Sequence, residues 1–515
     1  FKQLLVSEKQ EKPDKEIQDL KELWININDP QFVTDAVAIG GFKEPDRVLA
    51  ILRSLEEHPN TKRLTPNGRK KLARLIPALV KKIGQQNDPD AVFVKLIDLI
   101  ITIERRTCYL SLLLENERAL ETLITLAKKS PWIITFLSNH PALLDELMHP
   151  DTLYSPPGKQ ALEKEMEIRM ATIPPGDLEF LLEELCIFRQ INYLRVAAAD
   201  VSGNYPLMKV SDHLTYIAQT VLSQVLQIAW NIVTQKYGVP QGLSDDTLEH
   251  CGFAIIAYGK VGGLEMGYKS DIDIVFLHKA DSGVTKGKEK SIDINRFYSN
   301  LGQRIINALT MHTPAGKLYG ADMRLRPGGD SGMIVSHINA FEEYMKKDAW
   351  TWEHQALIRA RPVAGDKVLC SRFEEIRKTV LTEKRDAATL KREVGDMRER
   401  MRVERLKAKK DFFDLKQSRG SIVDIEFLVQ YLILKNAHTC PDLIIWTDNM
   451  RLLESLDGEG IITGCEAERL QNAYLVMRKA IHRLNLQEKS LEIPQAHFLE
   501  IRNHVIQIYD KYLAD

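Results

Sequence analysis

Gly252-Phe253-Ala254-Ile255-Ile256-Ala257-Tyr258-Gly259-Lys260-Val261-Gly262-Gly263-Leu264-Glu265-Met266-Gly267-Tyr268-Lys269-Ser270-Asp271-Ile272-Asp273-Ile274-Val275-Phe276-Leu277-His278 reads as strand, glycine turn, short helical connection, strand. The second apolar run opens on two acids two residues apart, and acids at that spacing in a strand share one face. Ile272, Ile274 and Phe276 then point the other way, so the strand is expected to bury one side and present carboxylates on the other. Two adjacent carboxylates repel unless a cation lies between them. Hard divalent ions such as Mg²⁺ bind through one or two carboxylates plus the phosphates of a substrate. The glycines upstream would let main-chain N–H groups approach those phosphates. The stretch thus predicts a metal-assisted nucleotide site.

A lone Asp-x-Asp is more often a solvated strand edge, and a glycine pair alone is a turn. Neither phosphate fingerprint fits: Gly259-x-x-Gly262-Gly263-x-x-x-Gly267 is not G-x-G-x-x-G, and no G-x-x-x-x-G-K-[ST] occurs. A third acid strengthens the reading. Gly316 to Pro327 reads as another strand that would set Asp322, Arg324 and Arg326 on one face.

These residues resemble the nucleotidyltransferase superfamily, in which a glycine pair precedes Asp-x-Asp and a third Asp stands on a neighbouring strand. More closely, Gly259-Lys260-x-Gly262-Gly263-x-Glu265-x-Gly267-Tyr268-x-Ser270-Asp271-x-Asp273 with Asp322-Met323-Arg324-Leu325-Arg326-Pro327 is similar to the bacterial glutamine synthetase adenylyltransferases. Met208 to Leu214, Trp350 to Leu357 and Gly420 to Phe427 are further matching blocks, so the resemblance covers most of the chain. It implies a polymerase-β-like mixed sheet flanked by helices, within a mainly α chain that ends in a helical bundle. It also implies transfer of AMP from ATP to a tyrosine hydroxyl of glutamine synthetase, with pyrophosphate leaving, as a control on nitrogen assimilation. A PII-type signal protein and glutamine would be regulators.

On this reading Asp271, Asp273 and Asp322 are the catalytic and metal-holding acids of a two-Mg²⁺ site. Gly262, Gly263, Ser270 and Lys260 would contact phosphate oxygens, and Arg324 and Arg326 would balance charge on the departing pyrophosphate. Lys416, Asp424 and Glu426 match the family's start of the bundle, where charged groups would face the cleft. At about 100° per residue Asp424 and Glu426 diverge by about 200°, so one of them is expected to reach the site. Arg359 and Arg361 are further candidates for triphosphate contact.

The family joins two homologous halves of opposite sense. The adding half is favoured by Ala257-Tyr258-Gly259-Lys260, Glu265-Met266-Gly267-Tyr268, the Phe276-Leu277-His278 ending and Trp352-Glu353-His354-Gln355, whereas Lys269 stands where a small polar residue is commoner. Rival readings are the half that removes AMP by phosphorolysis, a uridylyltransferase of the PII-type protein, whose His-Asp phosphohydrolase motifs are absent here, and a helical regulatory module with a dead site.

Composition bounds the rest. At 515 residues the chain can form two to four domains, and its first residue, Phe1, suggests a piece of a longer protein. Lys and Arg number 70 against 71 Asp and Glu, which gives no electrostatic pull toward nucleic acid or membrane. The six cysteines include no C-x-x-C pair, which points to reduced thiols in a cytoplasmic protein. No run approaches the ~18 apolar residues of a membrane span. Charged residues 1–30 read as a linker, 31–105 as a helical module that the resemblance implies is the regulatory and connecting region, and 106–245 as helices bracing the core. Residues 246–385 read as the catalytic core and 386–515 as the helical bundle. Gly329-Asp330-Ser331-Gly332 resembles a serine-protease segment, but a helix-patterned chain makes it a turn. His213 reads as a cap or surface group. The tryptophans of 350–352 read as core, and the charge-dense run 389–410 as a solvated helix.

Overall fold

The structure, a computed structural model, describes residues 22–174, 176–203, 205–243, 247–286, 290–406 and 411–513. Most of the stretch read as a linker (1–21) and the basic run Lys407 to Lys410 lie outside them. The chain divides into two compact units, one of residues 1–156, 193–205 and 486–488, the other of 157–192, 206–485 and 489–515.

The described residues of the first unit form helices and the turns between them. Proline opens one helix after another, at Pro30–Ile39, Pro45–Glu57, Pro66–Gly84, Pro89–Ile103 and Pro131–Asn139. Its fixed φ suits the first helical turn, where its missing N–H goes unused. Thr65 and Ser130 accept from the backbone N–H groups of Gly68 and Ile133, the cap geometry expected of Thr-Pro and Ser-Pro. Leu75, Leu79, Leu96, Ile100, Leu123 and Ile133 fill the core. The buried Glu104 accepts from Thr61 Oγ1 at 2.9 Å, with His58 Nδ1 at 3.7 Å.

The second unit is built on a five-stranded mixed sheet. Its strands are β1 (Phe253–Tyr258), β2 (Ile272–His278), β3 (Ala321–Asp322), β4 (Val335–His337) and β5 (Arg361–Gly365). β2 is central: β1 runs antiparallel on one side, with β5 beyond it, while β3 and β4 pair parallel with the two ends of its other edge. One face carries Phe253, Ile255, Ile274 and Phe276. There Phe253 packs on Phe276 and Tyr298, and Trp230 meets Phe297 edge to face, so that helices Leu207–Tyr237 and Ile294–Thr310 cover it. The other face, with Ala254, Ile256, Val275 and Leu277, shares one core with the C-terminal helices, including Leu428, Leu432, Leu453 and Met477. Each such Ile, Val, Leu or Met side chain contributes about 1.5–3 kcal/mol on full burial.

The expected one-sided strand is corrected. Val275 and Leu277 share a face with Asp273 yet are fully buried, so only the first turn of β2 opens toward solvent. The strand expected through Arg326 is likewise short. It ends at Asp322, because residues 323–332 turn back through hydrogen bonds from Arg326 N to Met323 O and Gly329 N to Arg326 O. Gly329–Ser331 is a turn of 3₁₀ helix, as a Gly-Asp-Ser-Gly turn predicts.

Candidate functional site

In-register pairing across parallel β2 and β3 sets Asp273 opposite Asp322. Burial in the cleft, then the Asp322 carboxylate, push the Asp273 carboxyl up to about 6. Gly259 has φ +55°, and a Cβ there would overlap Asp273 Oδ2, so this position needs glycine to let the turn lie against the acid. Asp271 sits one residue before the strand, where Gly320 leaves it room. It does not line the cavity that Asp273 and Asp322 share. Among the described residues no three His, Cys, Asp or Glu side chains gather closely enough to hold a metal by themselves.

Asp322 is engaged by Arg324, whose Nε lies 3.0 Å from both carboxylate oxygens. That contact holds the Asp322 carboxyl below its ordinary value. Arg326 departs from its expected role. It donates to the carbonyls of Gly332 (3.2 Å), Met323 (3.1 Å) and Asp330 (2.9 Å), because the turn after Asp322 swings it off the strand face. The two arginines should therefore separate experimentally. Arg324→Lys is expected to raise the KM for a triphosphate several-fold at unchanged Tm, since the planar fork is lost but not the charge. Arg326→Lys should lower stability by about 1–3 kcal/mol at nearly unchanged KM, as main-chain hydrogen bonds are lost. Paired thermal melts and steady-state kinetics would show the split; the reverse pattern would return Arg326 to the substrate.

The glycine pair has a packing role in the structure. Gly259–Gly262 is one helical turn, and Gly263 N already donates to the Gly259 carbonyl at 3.0 Å. A Cβ on Gly262 would overlap the Arg359 carbonyl, and one on Gly263 would press on its guanidinium. These glycines permit close packing against Arg359. Ser270 Oγ accepts from Gly267 N at 3.0 Å, closing the next turn.

Arg359 and Arg361, expected on triphosphate, are structural contacts. Arg361 donates to the carbonyls of Gly262 (2.9 Å) and Val261 (3.0 Å). Arg359 is buried in an ion pair with Glu265 and reaches Glu426 at 3.3 Å. Glu265 also accepts from Tyr474 Oη (2.6 Å) and Asn449 N (3.1 Å). Burial pushes the Glu265 carboxyl up, but the Arg359 and Arg478 charges outweigh it and hold it below its ordinary value. Sequence reasoning missed this network. The signal was present in two opposite charges, Glu265 and Arg359, each next to apolar residues.

The bundle residues divide. Asp424 is buried: Arg398 Nε lies at 2.7 Å and Gly420 N donates to it at 2.6 Å. It is not a cleft group, because its side of the helix Ile422–Asn436 faces the helix Ala387–Arg405, whose Arg398 is fully buried rather than solvated. Glu426, about 200° away, lines a cavity of about 460 Å³ with Lys260, Lys269, Ser270, Lys416 and Arg478. Lys260 reaches solvent through this concavity, and crowding by protein there, then the Lys416 ammonium, push it down to about 8. Beside it a cavity of about 580 Å³ holds Gly259, Asp273, Asp322 and Arg324, with Trp352, Gln355, Met397 and Gln430. Met401, Arg405 and Phe427 line both, so they are two lobes of one cleft, one basic and one acidic with apolar walls. Trp352 lines this cleft and Trp350 is 71% exposed, so neither tryptophan is core. His213 lies on the helix Leu207–Tyr237, its Nδ1 3.0 Å from the Pro157 carbonyl.

An acid at the mouth of a central strand, in register with the acid of its parallel neighbour and beside a basic lobe, places the unit among the nucleotidyltransferases. Residues 120–376 match the model of the family described as "Glutamate-ammonia ligase adenylyltransferase", and residues 389–493 match one described as "GlnD PII-uridylyltransferase". The chain is 42% identical over 498 residues to a protein of Thioalkalivibrio sulfidiphilus, covering 96% of this chain and 51% of the relative. It is 41% identical over 501 residues to one of Hahella chejuensis, covering 96% and 52%, and 40% identical over 513 residues to one of Psychromonas ingrahamii, covering 99% and 54%. All three are named "Bifunctional glutamine synthetase adenylyltransferase/adenylyl-removing enzyme". The chain belongs to the glutamate-ammonia ligase adenylyltransferase family, and spans about half the length of the curated relatives it matches. Among the described residues no helix is long and apolar enough to cross a membrane.

Proposed function

We propose that this chain transfers AMP from ATP to a tyrosine hydroxyl of glutamine synthetase, releasing pyrophosphate, in the cytoplasm and under the control of a PII-type protein and glutamine. The observation that carries the reading is the in-register pair Asp273 and Asp322 beside a basic lobe, in a chain of this family. The donor set suits Mg²⁺ brought in with a triphosphate: two hard carboxylates, with neither Cys nor His among the described residues lining their cavity. Asp273 and Asp322 would hold it, with Asp271 adjacent and phosphate oxygens completing the shell. Bound there, Mg²⁺ would lower the pKa of the attacking phenol and screen the phosphates.

The protein's own groups supply the rest. Lys260 and Lys416, both on the basic lobe, would draw the β- and γ-phosphates away from the acids. Arg324 would exchange Asp322 for phosphate. The cleft would set the phenol within about 3–3.5 Å of the α-phosphorus, a tyrosine near pKa 10 needing this placement to react at neutral pH.

The relatives' names carry both senses, so phosphorolytic removal of AMP is the second reading. One pair of incubations tests both. With α-labelled ATP, Mg²⁺ and glutamine synthetase, the adding reading predicts labelled glutamine synthetase; adenylylated glutamine synthetase with phosphate would instead yield ADP if this chain removes AMP.

A further inference from the structure

The first unit carries a recess of one sign of charge. Asn60, Thr102, Arg105, Arg106, Ser138 and Pro141 line a cavity of about 640 Å³ that shares no residue with the cleft holding Asp273 and Lys260. Both guanidinium groups are exposed, and among the described residues neither donates a hydrogen bond to the protein or pairs with a carboxylate. Glu104, the neighbouring acid in the chain, is fully buried and engaged by Thr61 and His58 instead. More positive charge adjoins the recess: Lys71 Nζ lies 3.3 Å from the carbonyl oxygen of Thr107, the residue after Arg106. Lys71 belongs to a stretch, residues 58–87, that holds eight Lys and Arg and no Asp or Glu, in a chain whose charges balance at 70 against 71 overall. A concavity lined by one sign of charge concentrates ions of the other. Two arginines on an open helix face would simply be solvated, but these share a recess with a carboxamide and two hydroxyls.

We propose that this recess binds a small phosphate monoester with a hydroxylated body, a sugar or polyol phosphate. Arg105 and Arg106 supply forked donors, and a guanidinium pairs phosphate oxygens two at a time. A monoester carries about 1.5 to 2 negative charges at pH 7, which two guanidinium groups match. The cavity falls within the range of about 300–1,000 Å³ typical of small-molecule sites, so it has room for a body beyond the phosphate. That body is polar. The Asn60 carboxamide and the Ser138 hydroxyl can exchange hydrogen bonds with it, and Thr102 Oγ1, which donates to the Asp98 carbonyl at 3.0 Å, can still accept one. It is not a nucleoside, because among the described residues lining the recess there is no aromatic side chain for a base to stack on. The same lining holds no carboxylate, imidazole or thiol, so the site binds without doing chemistry. Nothing in this depends on the nucleotidyl-transfer reading.

The test is isothermal titration calorimetry of the full chain at fixed ionic strength, since salt screens exposed charge. The probes are glucose 6-phosphate, ribose 5-phosphate and glycerol 3-phosphate, with glucose and inorganic phosphate as controls. At least one of the three esters is expected to bind at one site per chain, about tenfold or more tightly than inorganic phosphate, and glucose not at all. Arg105→Gln and Arg106→Gln, at exposed positions that leave the fold intact, should each weaken that ester about tenfold or more. Arg106→Lys should fall between, keeping the charge without the fork. Lys416→Ala, in the other unit, should bind the ester as wild type does. Binding of none of the three esters would overturn the proposal, as would unchanged affinity in both Gln variants. Loss in Lys416→Ala with full affinity in the arginine variants would move the phosphate to the basic lobe and overturn it too. Inorganic phosphate binding as tightly as the best ester would remove the hydroxylated body. Tighter Arg105-dependent binding of AMP would give the recess to a nucleotide, and tighter Arg105-dependent binding of a glutamate-rich peptide would make it a protein contact; either result sinks the proposal.

Discussion

Asp424→Ala is expected to destabilise the second unit by about 3–5 kcal/mol, a larger effect on folding than any other single change considered. Asp424 and Arg398 are a fully buried pair, and the carboxylate also receives Gly420 N and lies 3.3 Å from Arg402. Removing the acid leaves a guanidinium in the core with no countercharge, which is far worse than removing both partners. Gly420, at φ +79°, would lose its hydrogen bond as well, loosening the turn that leads from Lys416. Arg398→Met added to Asp424→Ala should recover much of the loss, a coupling that urea denaturation of the four proteins measures directly. Lys416→Ala, by contrast, should slow transfer at nearly unchanged Tm, since its side chain lines the basic lobe. An Asp424→Ala protein with wild-type stability and slow transfer would put Asp424 back at the reacting groups.

The second large effect is a trade between activity and stability at Asp273. Asp273→Asn is expected to reduce transfer by at least ~10²–10³-fold, the scale of losing a group that stabilises charge in the transition state. Without metal the same variant should melt higher than wild type at pH 7. Burial and the facing Asp322 raise the carboxyl from 3.8 to about 6, so the folded state holds its proton more tightly than the unfolded chain does. The sign follows: the contribution of this group to stability is fully present below about pH 4 and is lost as pH rises through about 6. The difference at neutral pH is on the order of 3 kcal/mol. An amide keeps the shape without the repulsion. The gap between variant and wild type should close below pH 4, and also at pH 7 when Mg²⁺ and ATP are added, because only wild type gains from them. Equal melting at every pH would mean that the two acids do not repel.

The central hairpin was legible because its signals are local. Apolar runs bounded by glycine place β1 and β2, and Asp-x-Asp marks the strand mouth. Asp322 was legible as the third acid because it follows an apolar approach, but its pairing with Asp273 is a matter of register between strands distant in sequence. What stayed hidden is tertiary. Alternation from Asp322 predicted Arg324 and Arg326 on one face, but the chain turns after Asp322 and main-chain carbonyls take Arg326. Gly262 and Gly263 read as phosphate donors, whereas the constraint on them is Arg359, nearly a hundred residues on in the chain. Helical geometry did separate Asp424 from Glu426; which one faces the cleft depends on where Arg398 packs.

The most direct measurement is label transfer from α-labelled ATP to glutamine synthetase, with the wild-type chain and Asp322→Asn run side by side in Mg²⁺. The account predicts label on a glutamine synthetase tyrosine with one pyrophosphate released per AMP transferred, and none above background with the variant at equal folded concentration. Transfer by Asp322→Asn at the wild-type rate would contradict it, for the chemistry would then not pass through the paired acids of β2 and β3.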